Sequence, residues 1–217
     1  MDTRCDTDGR RELGEQTRRR LLEAAQTLVA EHGEDAVTLR AITDAANANV
    51  AAVSYHFGSK DALLRTAVEQ AVRLVTTEQL EALRSLPDAP ALADVARAIA
   101  RPIVAAVATG YPQDRALLRI AARVINDPTG SAEHWLRPML DEKHREMVAV
   151  LSRSLPGVPE DVLRFRAQSC GAVLNCVAAG RTDVDGRSVE ELEALVVPVI
   201  AGMLGGEHAG VVGAAAA

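Results

Sequence analysis

Apolar positions recur every three to four residues through most of the chain. No segment alternates apolar and polar residues as a half-buried strand does, so the pattern predicts an all-α fold. The first strong stripe, Leu21, Leu22, Ala25, Leu28 and Val29, predicts a helix over about Thr17–Glu31, with Gly33 placed where a left-handed residue closes a helix. Two short helices follow, about Leu39–Ala46 behind an N-cap at Thr38 and about Val50–His56, joined through Asn47–Asn49. Gly58 ends the second, and Ser59 caps a long helix over about Lys60–Leu86.

Beyond Pro87 the punctuation stays helical. "PDAPALADVARAIARPIVAAVATG" carries Pro102 inside its pattern, which either kinks the helix or divides it in two. "PQDRALLRIAARVIND" stops at Asp127-Pro128, and "SAEHWLRPMLDEKHREMVAVLSRSLPG" is expected to kink at Pro138. "PEDVLRFRAQSCGAVLNCVAAG" opens with Pro159 in its first turn and ends at Gly180. "SVEELEALVVPVIAGMLGG" opens on a capping box of Ser188 and Glu191. The expectation is about nine helices: a disordered arm over 1–14, a head of short helices over 15–64, a helical domain over 65–205 and a flexible tail over 206–217.

Composition changes this picture in two ways. Of the 217 residues, 48% are apolar but only 2% aromatic, so the core must be aliphatic. The few aromatics are not spread evenly: "NVAAVSYHFGSKDALL" holds one of two Tyr, one of two Phe and one of only two Lys. The net charge of −6 does not advertise nucleic acid or an anionic membrane. Residues 1–64 hold eight Arg/Lys against eleven Asp/Glu, a net of −3, but the cations cluster at Arg10, Arg11, Arg18, Arg19, Arg20, Arg40 and Lys60. Three Cys without metal-type spacing point to reduced thiols, and the polar start of the chain has no apolar run of a signal peptide. A cytoplasmic protein that spans no membrane is therefore expected. No metal cluster, cofactor motif or nucleophile–base spacing occurs, so no cofactor and no enzymatic activity are expected.

The crowded stretch has a geometric reading. Two short helices joined by a three-residue turn form a helix-turn-helix. Leu39, Ile42, Ala45 and Ala46 would pack the first inward, and Val53 and Phe57 the second. Asn47 is the best non-glycine choice where the turn needs a positive φ. The outward face of the second helix then carries Asn49, Val50, Ala52, Ser54, Tyr55 and His56, small or hydrogen-bonding groups that admit close approach to a major groove. Val50 and Ala52 suit thymine methyls. Asn49 suits adenine or a phosphate, and Arg40 a guanine edge or a phosphate. Tyr55, His56 and Lys60 stand where a phosphate backbone would pass a helix N-terminus.

The segment "TLRAITDAANANVAAVSYHFGSKDALL" resembles the DNA-binding domain of TetR/AcrR-type transcriptional regulators, over roughly residues 17–64. The resemblance implies phosphate contacts for Thr38, Tyr55, His56 and Lys60, and base contacts for Arg40, Val50 and Ala52, with Asn49 at the helix start. Asn47 replaces the usual turn glycine, and Ser54 stands where a tyrosine is usual. The family implies a second, all-helical domain that binds a small molecule and dimerises.

In that second domain the candidate effector residues are Trp135 and Met139, four apart, with His134, Phe165 and the charged stripe that includes Arg119 and Arg123. The stripe suits an anionic ligand such as an acyl-CoA. Ala167, Cys170, Gly171, Leu174 and Ala178, with Leu192, Leu195, Val196, Val199 and Met203, read as a homodimer interface, the alternative being that both faces pack inside the monomer, and Cys170 and Cys176 read as buried small hydrophobes. The expectation is a ligand-responsive regulator, a repressor released from a pseudo-palindromic operator in double-stranded DNA by a small lipophilic effector. The rival readings are an architectural DNA-binding protein without a ligand and an enzyme with a helical catalytic domain.

Overall fold

The computed structural model describes the backbone of residues 4–126, 133–184 and 186–206. Among these the chain forms nine α-helices and no strand. They are α1 (Arg4–His32), α2 (Leu39–Ala45), α3 (Val50–Phe57), α4 (Lys60–Arg84), α5 (Leu92–Ala108), α6 (Pro112–Asn126), α7 (Glu133–Ser154), α8 (Glu160–Ala178) and α9 (Val189–Gly205). The helix over Arg4–His32 corrects the expected arm over 1–14. Gly9 and Gly14 each cost a helix about 1 kcal/mol, but the charged residues around them include good helix formers. Residues 207–217, the rest of the expected tail, lie outside the described residues.

Local chemistry explains the helix boundaries. Thr38 Oγ1 accepts from the Ala41 amide at 3.1 Å, and Asn49 Oδ1 from the Ala52 amide at 2.8 Å. Ser59 Oγ caps α4 through the Ala62 amide at 3.1 Å. Ser188 and Glu191 close the expected box on α9. Asn47 is the one non-glycine residue with positive φ among the described residues, at 47°, which is the left-handed turn expected of it. Pro102 and Pro138 are both accommodated within continuous helices, α5 and α7.

The chain divides into two compact units, residues 1–75 with 109–136, and residues 76–108 with 137–217. In the first, α1 packs against α2, α3 and α6. Leu21, Ala25, Val29, Ile42, Val53, Leu63 and Leu64 are its aliphatic core. Of the inward face expected for α2, Ile42 and Ala46 are buried and Leu39 half-buried, but Ala45 is exposed and Thr43 is buried instead. The Thr43 hydroxyl satisfies itself on the Arg40 carbonyl at 3.0 Å, so the buried polar group costs little. A polar core contact also forms here: Gln26, buried on α1, donates to Gln70 on α4 at 3.2 Å and accepts from Gln113 on α6.

In the second unit α5, α8 and α9 pack together. Val95, Ile99, Ile103, Val104, Leu163, Leu174, Leu192, Val196 and Ile200 are buried. Arg166 is buried as well, but its Nη1 donates to the Leu204 and Gly205 carbonyls at 2.9 and 2.7 Å, closing the end of α9. The expected interface residues therefore split. Cys170, Leu174, Ala178, Leu192 and Val196 belong to the protomer's own core, while Leu195 and Val199 stand exposed. Cys176 is also exposed, which corrects its reading as a buried hydrophobe.

Candidate nucleic-acid interface

The helix-turn-helix is built from its caps outward. Thr38 fixes the start of α2, Asn47 supplies the left-handed turn, and Asn49 fixes the start of α3. With Val53 and Ile42 sunk into the core, the opposite face of α3 faces solvent. There Asn49, Val50, Ser54 and Tyr55 are exposed, Tyr55 to 84%. Ala52 is half-buried, with its amide committed to the Asn49 cap. Ala51 is the exposed alanine of that turn and was missed in the sequence, because a two-residue spacing cannot tell which of two alanines rotates outward.

The flanking residues are held rather than loose. Tyr55 and His56 touch edge to face, with ring centroids 4.9 Å apart. His56 is half-buried, and a Cβ at Gly14 would lie 3.8 Å from its Cε1, so the early turns of α1 run beside it. Phe57 is only partly buried, and the Arg18 guanidinium covers its ring at 5.1 Å. Arg40 is 91% exposed on its side chain, steered by Asp44 at 3.7 Å. Lys60 Nζ donates to the Val37 carbonyl at 3.0 Å.

Acidic groups surround that lysine. Burial, then Asp35 and Asp61, push the Glu34 carboxyl above the usual carboxylate range, and Lys60 pulls the other way. Glu34, Asp35 and Asp61 thus gather part of the negative charge of residues 1–64 in the loop before α2 and the first turn of α4.

The expected effector residues scatter. Arg119 is exposed on α6. Arg123 also lies on the outer face of α6, and its Nη1 reaches the Val29 carbonyl at 3.4 Å. There it approaches Gly33, whose φ of +83° favours glycine, and a Cβ at that position would lie 2.5 Å from the guanidinium, so the arginine tip would have to shift. Arg123 therefore braces the end of α1. Phe165 is 69% exposed, because α8 turns Leu163, Arg166 and Cys170 inward and Phe165 points away from that stripe. Trp135 is half-buried under the Arg65 guanidinium at 4.9 Å, and Met139 is half-buried. The side chain of His134 lies outside the described residues. A cleft of about 490 Å³ in the second unit is lined by Ala82, Leu86, Ala98, Pro102 and Ala105 with Glu78, Asp94, Arg97 and Arg101, none of them an expected effector residue.

No group of three or more His, Cys, Asp or Glu among the described residues can hold a metal ion, and no described helix is long and apolar enough to cross a membrane.

Comparison with known proteins agrees with this geometry. The model for bacterial regulatory proteins of the tetR family matches residues 21–67. That for a tetracyclin repressor-like C-terminal domain matches residues 97–206. No curated protein matches the chain in sequence. Among solved structures, the TetR family transcriptional regulator PfmR from Thermus thermophilus is similar at a TM-score of 0.62 and 20% identity, covering 83% of this chain and 93% of that one. AibR in complex with isovaleryl coenzyme A and operator DNA is similar at 0.64 and 18% identity, covering 84% and 97%. The ketosteroid transcriptional regulator KstR2 of Mycobacterium tuberculosis is similar at 0.64 and 15% identity, covering 85% and 93%. With a family model over each part of the chain and a capped helix-turn-helix at its head, the protein belongs to the tetR family of DNA-binding transcriptional regulators.

Proposed function

We propose that the protein is a cytoplasmic homodimeric repressor that leaves a pseudo-palindromic operator when a small lipophilic molecule occupies its C-terminal domain. Thr38, Tyr55, His56 and Lys60 hold the phosphate backbone. Arg40, Asn49, Val50 and Ala52 meet base edges beside Ser54. The protein does no catalysis.

The observation that carries this reading is the outer surface of α8 and α9. Phe165, Leu195 and Val199 are exposed on two helices that pack on one another, and Ala172, Cys176, Ala194, Pro198 and Gly202 around them are exposed too. Three large apolar side chains without cover, among small neighbours, suit a second copy of the same surface. A two-fold pair presents two α3 helices, and a two-fold operator follows from that symmetry. The AibR structure, with an acyl-coenzyme A and operator DNA, supports an effector acting on a protein of this fold.

Footprinting the full-length protein on genomic fragments tests the proposal. Two protected half-sites with centres roughly 10 base pairs or a multiple apart are expected. Sedimentation should show a dimer that Leu195→Glu together with Val199→Glu separates, with loss of the footprint. Protection without two-fold symmetry, spread evenly along any fragment, would favour an architectural role instead.

A further inference from the structure

The inward stripe of α1 changes character along the helix. Leu21, Leu22, Ala25 and Val29 are buried on it. Nearer the N-terminus the same stripe carries Arg18, then Gly14, then Arg11, at the three- and four-residue spacings that keep to one helix face. A stripe that is aliphatic where it meets the core therefore becomes cationic where it leaves it.

Contacts fix where the cationic part lies. A Cβ at Gly14 would lie 3.8 Å from His56 Cε1, and the Arg18 guanidinium covers the Phe57 ring at 5.1 Å. Both partners stand in the last turn of α3. The arginine-bearing face of α1 is thus the face that passes the end of α3, beside the exposed Tyr55. Arg11 is exposed, and a rise of about 1.5 Å per residue sets it roughly 4.5 Å beyond Gly14, on the side away from the core. On the other flank Arg11, Arg18 and Arg19 line a groove of about 860 Å³ that reaches Gln70 of α4. Glu12 and Glu15 line it too, and Arg19 is drawn toward Glu23 at 3.9 Å.

The charge of the head makes this position matter. Residues 1–64 are net negative, so their summed field does not draw in a duplex. Surface charges act over only about 8 Å at physiological salt, so phosphates are held by cations in reach of them. We propose that the N-terminal half of α1 is a second DNA-contacting element, in which Arg11, with Arg18 beside it, holds the phosphate backbone next to the stretch met by Tyr55 and His56. A guanidinium suits this task, because its planar fork meets two phosphate oxygens at once. The inference rests on the DNA-contacting reading of α3 above and extends the interface to a helix outside the helix-turn-helix.

The test uses the full-length protein, an operator fragment recovered by footprinting and a duplex of unrelated sequence. Anisotropy across a salt series reads affinity on each. Arg11→Gln should lower the slope of log affinity against log salt by about one per protomer on both duplexes. The ranking of single-base operator variants should stay as in wild type, because a phosphate contact carries no base information. Arg11 is exposed, so the variant should melt with wild type. Arg18→Met keeps a stem over Phe57 without the charge and gives a second reading of the stripe. Arg145→Gln makes the same change of charge on α7, in the other compact unit, and should leave the slope alone. Ethylation interference then locates the contact: a phosphate in each half-site should interfere with wild type and cease to interfere with Arg11→Gln.

A slope that neither Arg11→Gln nor Arg18→Met moves, or that Arg145→Gln lowers as much, would overturn the proposal. So would a lowered slope with an unchanged interference pattern, since net charge and not contact would then be the cause. If wild type binds the unrelated duplex as tightly as any genomic fragment, the operator-specific reading fails first, and the slope on that duplex still decides whether α1 touches phosphate.

Discussion

Lys60, in the first turn of α4, reaches back to the Val37 carbonyl at 3.0 Å, one residue before the Thr38 cap of α2. The ammonium thus joins the start of α2 to the start of α4, the two ends between which α3 is carried. One of its three hydrogens is used, and two remain for a phosphate. With the proposed phosphate contact, the same side chain would have two separable duties, holding the frame and neutralising DNA.

The two duties predict different outcomes for two substitutions. Lys60→Gln keeps a donor for Val37 but no charge, so stability should hold while the slope of log affinity against log salt falls by about one. Lys60→Ala should lose that slope and also about 1 kcal/mol of unfolding free energy. Fluorescence anisotropy on an operator fragment across a salt series reads the slope, and urea unfolding reads the stability. An unchanged slope in both variants would place Lys60 away from any phosphate.

Arg40 is almost wholly exposed and is steered by Asp44 one helical turn away, at 3.7 Å. An exposed pair of this kind adds little stability, so its interest is directional. Arg40→Ala should relax sequence preference at one position of each half-site, at a cost of about 1–3 kcal/mol there. Asp44→Asn should tighten binding to all sequences by removing a negative charge beside the duplex. Competition among single-base operator variants measures both effects. Equal loss on every variant after Arg40→Ala would confine Arg40 to the backbone.

Element positions and caps were legible in the sequence because each rests on local chemistry. Asn47, Asn49, Ser59 and the Ser188–Glu191 box all stand where their residue types predict. Facing was harder to read. Helix α9 is apolar on nearly all sides, so periodicity did not reveal that Leu192, Val196 and Ile200 turn inward while Leu195 and Val199 turn out. Arg123 misled for another reason. A guanidinium reaches several ångströms from its backbone, and its target, the Val29 carbonyl, is 94 residues away in sequence. Phe165 drew attention through rarity of aromatics, which says nothing about direction.

Cys170 gives a pH prediction with a definite sign. Its side chain is fully buried, its Sγ lies 3.9 Å from the Ile200 carbonyl, and burial pushes the thiol from 9.0 up to about 11. Between those values the unfolded chain loses the proton and the folded chain keeps it. The contribution to stability is therefore whole below 9.0 and is lost as pH rises through about 11. Lys143 runs the other way, since its lowered pKa makes stability rise with pH up to the usual lysine value of 10.5. Comparison of wild type with Cys170→Ala separates the two. The urea midpoint of wild type should fall more steeply over this range than that of the variant. Parallel midpoints would mean that the thiol is as free to ionise in the fold as in the open chain.

Trp135 and Arg65 provide the last prediction. The Arg65 guanidinium lies 4.9 Å over the indole, five residues into the helix that Lys60 opens, and Trp135 is the only Trp in the chain. A cation over that ring is worth about 0.5–1 kcal/mol at a partly exposed site and perturbs its emission. Arg65→Met keeps the aliphatic stem and removes the charge, so it should shift the emission maximum of the ligand-free protein. If effector occupancy alters this pair, adding the effector to wild type should change the emission, and Trp135→Phe should abolish the signal. Trp135→Ala should block effector release while holding operator affinity within a few-fold, about 1 kcal/mol. Titrating effector into the operator complex of each variant decides the matter. Release from Trp135→Ala at the wild-type effector concentration would show that Trp135 and Arg65 only pack together, and that the effector is sensed elsewhere in the chain.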